Sequence, residues 1–402
     1  MANTLKFIDM VAREAQAVAH EQCQFIGTVD RQYDSSFAKT GAKIGSSLRV
    51  RKPNRYTVTE DTRVMDVQDQ DEETQTVTIS KRAMVPMRFN SDELTLDTDD
   101  RTAVSLFSKR YIEPAVKVLV SKVESNFLTY ATKATFNLAG TAGTPIASLV
   151  VPGAARAKMN QGLAPKGDRF IQMDSVTMGG LVNGVAAYFN PSGAISEQFR
   201  EGLVARTAMA DYYENERCFT DTYGSDVTTV TINDATFTSG EATTTIAGST
   251  GHAVGNVITM AGCYAVHPET KVAYPNLQQF VITAVSGNDI TISPTPVTSG
   301  AKQNVSAMPA NGAAVVFAGA TSAAYVNSLM YHKEAFQFVT ADLPLLGTAE
   351  NCTRKVQDGL SMRVWFDGDI RNDELLMRID LLYGMAALRP EWACRMYGAD
   401  NA

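Results

Sequence analysis

Apolar residues Leu5, Ile8, Val11, Ala12, Ala15 and Val18 recur at helical spacing and predict a short amphipathic helix over residues 5–19, with Asp9 and Glu14 among them. Such a helix either docks on its own domain or serves as a partner-binding arm. From 41 to 89 the pattern moves toward period two. SLRVRKPNRYTVTEDTRV and TQTVTISKRAMVPMRF read as two long strands joined by the acidic tip DVQDQDEET. A helical stripe follows from 101 to about 136, carried by Val104, Phe107, Tyr111, Ala115, Val118, Leu119, Val123 and Phe127. Asp99 or Asp100 can cap it, and Pro114 either kinks it or marks a second start. At about three times the usual helix length of about 11–12 residues, it reads as a structural spine.

Mixed sequence comes next, with a short strand at 169–173 and helices at 175–185 and 194–204 around an NPSG turn. From 226 to about 318 charge nearly vanishes, and VTTVTIN, ATTTIAG, NVITMAG, QQFVITAVSG, NDITISPTPV and AAVVFAG alternate with Gly and Asn turns. That is the pattern of a small all-β sandwich or barrel inserted into an α/β surround. Strands then return. Asp367-Gly368 fits a hairpin turn, and residues 378–383 form a strand that Gly384 breaks. Pro390 stops pairing by withholding a donor, and Trp392 buries its ring.

Charge narrows the picture. A chain of 402 residues at net charge −7, with no dense basic face, is ill suited to gripping DNA by its phosphates, although it can enclose DNA passively. No apolar run approaches the ~20 residues that span a bilayer, and the first residues meet charges too early for a secretory leader, so synthesis in a cytoplasm and no membrane partner are expected. In the first arm stand Arg49, Arg51, Lys52 and Arg55, and in the tip Asp69, Asp71, Glu72 and Glu73. Opposite charge on separated parts of one arm suits head-to-tail packing of identical subunits; the alternative is a solvated hairpin.

Candidate chemistry is sparse. Five scattered cysteines show no C-x-x-C spacing, and no P-loop, nucleophile elbow or H-E-x-x-H occurs. His252, Cys263 and His267 fall in different strands without a fourth ligand, and His332 reads as a half-exposed sheet residue. No metal, cofactor or catalytic activity is expected.

The closing run LLYGMAALRPEWACRMYG resembles the C-terminal run of coat proteins of short-tailed Salmonella-type phages. In that family a strand ends in Tyr-Gly and Arg-Pro-Glu follows; Tyr383, Gly384, Arg389, Pro390 and Glu391 match here. The order of parts is also similar. The resemblance implies an α+β chain with the Hong Kong 97-type phage capsid fold. It divides the chain into an N-terminal arm (1–40), extended β-hairpin loop (41–98), spine helix (99–140), peripheral and axial α/β region (141–223), inserted β-barrel domain (224–318) and a return to the axial domain with the C-terminal strand (319–402). It further implies a major capsid protein that assembles, with scaffolding protein, as hexamers and pentamers of an icosahedral procapsid. A portal protein would occupy one vertex, and the mature shell would enclose double-stranded DNA in the virion. Asp9 and Glu14 match the acidic helix that receives scaffolding protein, although Ala15 and Val18 stand where relatives carry acids. Tyr383, Gly384, Arg389, Pro390, Glu391 and Trp392 become a C-terminal clamp, acting within the subunit or across a symmetry axis. The competing reading is a surface adhesion protein binding a receptor or glycan through its Ser/Thr-rich β domain.

Overall fold

Residues 7–33, 47–58, 63, 67, 72–90, 111–185, 210–224, 230–248, 251–345, 351–357 and 359–400 are described by the computed structural model. The chain forms two units, the first from residues 1–50, 75–127 and 336–386, the second from 51–74, 128–335 and 387–402.

In the first unit, helix α1 (Phe7–Gln22) packs on strand β16 (Cys352–Gln357). The small residues Ala12, Ala15 and Ala19 form its buried face, and the Gln16 amide donates to Leu360 O at 2.7 Å. Short α2 (Phe25–Thr28) leads into β1 (Asp30–Tyr33), which pairs in parallel with β15 (Phe336–Ala341). The sheet continues through β18 (Glu374–Ala387) and β17 (Leu360–Asp369) to β16. Strand β3 (Thr74–Asn90) lies on β18 in register from Lys81 to Asn90, and β2 (Ser47–Arg51) pairs with β3.

Two expectations change here. The first arm is not a long strand: β2 ends at Arg51, before Pro53, which lacks the N–H a ladder needs. The second arm, β3, pairs along most of its length with β18 of its own unit, with Val77, Ile79 and Phe89 turned inward. Asp367 and Gly368 lie inside β17, and the turn falls at 370–373.

Gly384 does not end its strand. β18 runs on to Ala387, because β3 shifts register between Tyr383 and Gly384 to admit it. A Cβ on Gly384 would meet Thr78 O at 2.5 Å and Ile79 Cα at 3.0 Å. Gly384→Ala is therefore expected to destabilise the chain by ~1–3 kcal/mol through backbone overpacking. A lower urea midpoint with unchanged slope is the measurement that checks it.

Helix α3 (Glu113–Ala134) passes from the first unit into the second. Pro114 is the second residue of this α segment, where a missing N–H is tolerated. Leu119, Val123 and Phe127 are buried as expected, joined by Val116 and Val120; Val118 faces out, 65% exposed, and Tyr111 is also exposed. Residues 91–110, with the expected caps and first part of the spine, lie outside the described residues, as do 194–204.

In the second unit a six-stranded sheet runs β4 (Leu138–Ala139), β19 (Ala393–Asp400), β14 (Ala324–His332), β5 (Arg169–Met173), β6 (Asp211–Glu214), with β7 (Thr220–Thr222) also on β14. Helices α4 (Val150–Gln161) and α5 (Ser175–Val185) belong to the same unit. Strand β19 was not foreseen: Pro390 opens a single 3-10 turn, and pairing resumes at Ala393.

The low-charge segment closes into a barrel. Its strands are β8 (Val230–Ile232), β9 (Thr243–Ala247), β10 (Val257–Val266), β11 (Ala273–Ser286), β12 (Asp289–Ser293) and β13 (Ala314–Phe317), in the order β10-β11-β12-β9-β8-β13. Period-two alternation sends Ile246, Ile290 and Ile292 inward and leaves Thr243, Thr245 and Thr291 outside.

Candidate assembly surfaces

The charged arm begins at exposed Arg49 in β2. Arg51 pairs with Glu72 at 3.4 Å and Lys52 with Glu73 at 3.3 Å, and the Lys52 N–H donates to Glu73 O at 2.8 Å. Arg55 reaches Glu391 at 3.7 Å. Basic and acidic positions that looked separated in sequence thus face one another across the neck of one hairpin. Exposed pairs of this kind are each worth ~0–1 kcal/mol. Asp69 and Asp71 lie outside the described residues.

Asp9 and Glu14 lie on α1, Glu14 half-buried. The helix is docked on β16 and β17 of its own unit.

The six C-terminal residues are divided between the two units. Tyr383 is buried in the first unit, stacked on Phe338 at 5.7 Å, and its hydroxyl accepts from Asn126 Nδ2 at 3.2 Å. Arg389, Pro390, Glu391 and Trp392 belong to the second unit. There the Trp392 indole N–H donates to Gly162 O at 3.0 Å. The Arg389 guanidinium lies 4.0 Å from the ring centroid, and His332 meets the ring edge-on at 5.4 Å. Asn137 Nδ2 donates to Glu391 O at 3.3 Å and Ala393 O at 3.0 Å. His332 is buried rather than half-exposed. Burial holds its imidazole below the usual value, and Nδ1 accepts the Glu334 N–H at 3.2 Å. A neutral ring beside Arg389 avoids placing two cations against one indole.

Two ionic clusters escaped the sequence reading. Asp380 is completely buried and receives three arginines. Arg378 donates from Nε at 3.1 Å and Nη2 at 2.9 Å, Arg82 from Nη2 at 3.0 Å, and Arg363 from Nε at 3.2 Å and from Nη2. Burial pushes this carboxyl up, but the hydrogen bonds from Arg378, Arg363 and Arg82 outweigh it and hold the group below its ordinary value. The Trp365 ring lies 5.6 Å from Arg363 and 5.9 Å from Arg378. In the second unit Arg395 is wholly buried and pairs with Asp221 at 3.4 Å. Burial raises the Asp221 carboxyl against the pull of Arg395, Tyr397, Lys133 and Asn256. The usable signal for the first was Arg378 and Asp380 two apart in an apolar strand, which puts both on one sheet face.

Among the described residues no group of three or more His, Cys, Asp or Glu is placed to hold a metal ion. Cys263 Sγ donates to Ala307 O at 3.0 Å, while His267 Nδ1 accepts from Glu269 N and Thr270 N. No helix among the described residues is long and apolar enough to cross a membrane.

A family profile described as "P22 coat protein - gene protein 5" matches residues 216–398. Comparison with curated proteins returns no match. Among solved structures, a chain from Mycobacterium phage Che8 is similar over 93% of this chain and 90% of its own, at 10% identity and a TM-score of 0.50. The CUS-3 coat protein I-domain is 32% identical, covering 22% of this chain and 94% of that one at a TM-score of 0.20. The capsid chain of cyanophage P-SCSP1u is 12% identical over 92% of this chain and 85% of that one, at a TM-score of 0.45. The likeness to the Che8 chain is one of fold, and that fold is the Hong Kong 97-type of phage capsids, α+β with the barrel inserted.

Proposed function

We propose, from the premise that this chain belongs to the P22 coat protein family and is the major capsid protein that forms a tailed-phage shell, a specific course of assembly. The chain multiplies into that shell and resides in the virion. Scaffolding protein guides the hexamers and pentamers into a procapsid in the host cytoplasm. A portal protein takes one vertex, and the shell closes around double-stranded DNA without reading its sequence. The chain acts structurally, with no catalytic step of its own.

The observation that carries this reading is the profile match through the barrel and the strands that follow it, residues 216–398. The charge pattern supports the details. Net charge −7 keeps an unassembled subunit from collecting nucleic acid. Glu14, half-buried on α1, is a carboxylate for a basic scaffold segment, and Asp9 is the second acidic residue of that helix. The comparisons give the adhesion alternative no support, and several barrel threonines bond within the barrel, Thr243 Oγ1 lying 3.1 Å from Thr291 Oγ1 and Thr283 Oγ1 donating to Thr291 O at 3.1 Å.

Many weak contacts made at once hold a shell while letting misplaced subunits leave. Reversing the tip charges, Asp69, Asp71, Glu72 and Glu73 to Lys, is expected to prevent closed shells while leaving the monomer folded. Sedimentation with circular dichroism reads both. Normal shells from this variant would refute the arm-to-neighbour role.

A further inference from the structure

We infer that the Arg395–Asp221 pair is an orientation lock, fixing the inserted barrel in one attitude on the six-stranded sheet. The inference stands apart from the capsid reading and rests on how the barrel is attached.

The chain enters and leaves the barrel side by side. Tyr223 N donates to Ala323 O at 3.0 Å and Ser322 N to Gly224 O at 2.9 Å. Leu138, Tyr325 and Tyr397 share one apolar cluster with the barrel core, but such packing is non-directional. What adds direction to it comes from far along the chain. Arg395, on β19, donates from Nη1 to Gly255 O at 2.7 Å, on the loop before β10 and 140 residues away in sequence. Its Nε donates to Thr135 O at 2.8 Å, just past α3. One guanidinium thus ties barrel, sheet and helix end together.

Asp221 completes the joint from β7. Its carboxylate accepts from Arg395 at 3.4 Å, from the Tyr397 hydroxyl at 3.3 Å and from Asn256 Nδ2 at 3.4 Å. The Tyr397 and Tyr223 hydroxyls bond to each other, and Val257 N donates to Tyr223 OH at 3.4 Å. On neighbouring β11, Gln279 imitates a strand neighbour: its side chain accepts from Leu138 N at 2.9 Å and donates to Leu138 O at 3.1 Å.

A buried ion pair is a poor source of stability, because desolvation offsets most of the attraction. Here Arg395 Nη2 also has no hydrogen-bond partner among the described residues. A group that is costly and incompletely satisfied, yet bonded in defined directions to three elements, serves geometry. Because β19 follows the barrel in the chain, the lock closes only after the barrel residues have been made.

The test is hydrogen exchange on the full-length, unassembled chain, with Arg395→Met plus Asp221→Leu as one variant and Tyr397→Phe as a milder one. Exchange at 253–258 and 135–140 is expected to quicken about tenfold or more in the double variant, and by less in Tyr397→Phe. Strands β9 and β12, which pair with each other away from the junction, should keep wild-type protection, because the barrel itself stays folded. Unchanged exchange at the junction overturns the inference. So does faster exchange in β9 and β12, which would make the pair a support of the barrel core. If the double variant fails to fold, wild-type junction exchange in Tyr397→Phe overturns it.

Discussion

Asp380→Ala is expected to lose ~3–5 kcal/mol of stability, the usual cost of breaking a buried charge pair from one side. The reason lies in the count of charges. Three guanidinium groups converge on one carboxylate, and Arg363 is itself almost wholly buried, with Nη1 donating to Pro344 O at 2.6 Å. Without Asp380 the buried cation loses its counter-ion, while Arg82 and Arg378 turn outward to water. Urea unfolding of the monomer measures the loss. The pH dependence has a defined sign. The Asp380 carboxyl is held below its ordinary 3.8, so its contribution is present above that value and disappears as the pH falls through the lower folded-state value. A variant as stable as wild type would show that the arginines do not need this partner.

The second large effect is expected at Phe127. Its ring lies 4.8 Å from Phe25 and 5.4 Å from Phe338, which in turn stacks on Tyr383. Phe25 is also held through its N–H by the carboxylate of buried Glu124, one turn earlier on α3. Phe127→Ala opens a cavity between the helix, the sheet and the N-terminal segment, and should cost ~3–5 kcal/mol. Because Phe25 loses its main ring contact, early protease cleavage near residues 23–30 should accompany the loss. Cleavage and stability both at wild-type levels would contradict this packing.

The barrel was legible because each strand buries one face of a two-sided ribbon, so NDITIS announces its own register through Ile290 and Ile292. The spine helix was legible in type but not in rotation: Val118 and Val120 are alike to a periodicity count, and only the sheet beneath decides which is buried. Gly384 read as a break because the register shift that seats it belongs to β3, some three hundred residues earlier. β19 was hidden by Arg395, a charge whose partners at Thr135, Asp221 and Gly255 come from three separate stretches. The long first arm was over-read for want of weight on Pro53. Of the candidate assembly residues, the charges of the arm were legible in the sequence, while the pairs Arg51–Glu72 and Lys52–Glu73 depend on the closed hairpin neck.

The central claim is that this chain builds a shell. Electron microscopy of sedimented material from cells making the chain, with and without a candidate scaffolding protein, tests it most directly. Closed shells, or aberrant spirals when scaffold is missing, are the predicted result. Only small soluble species under both conditions would contradict it.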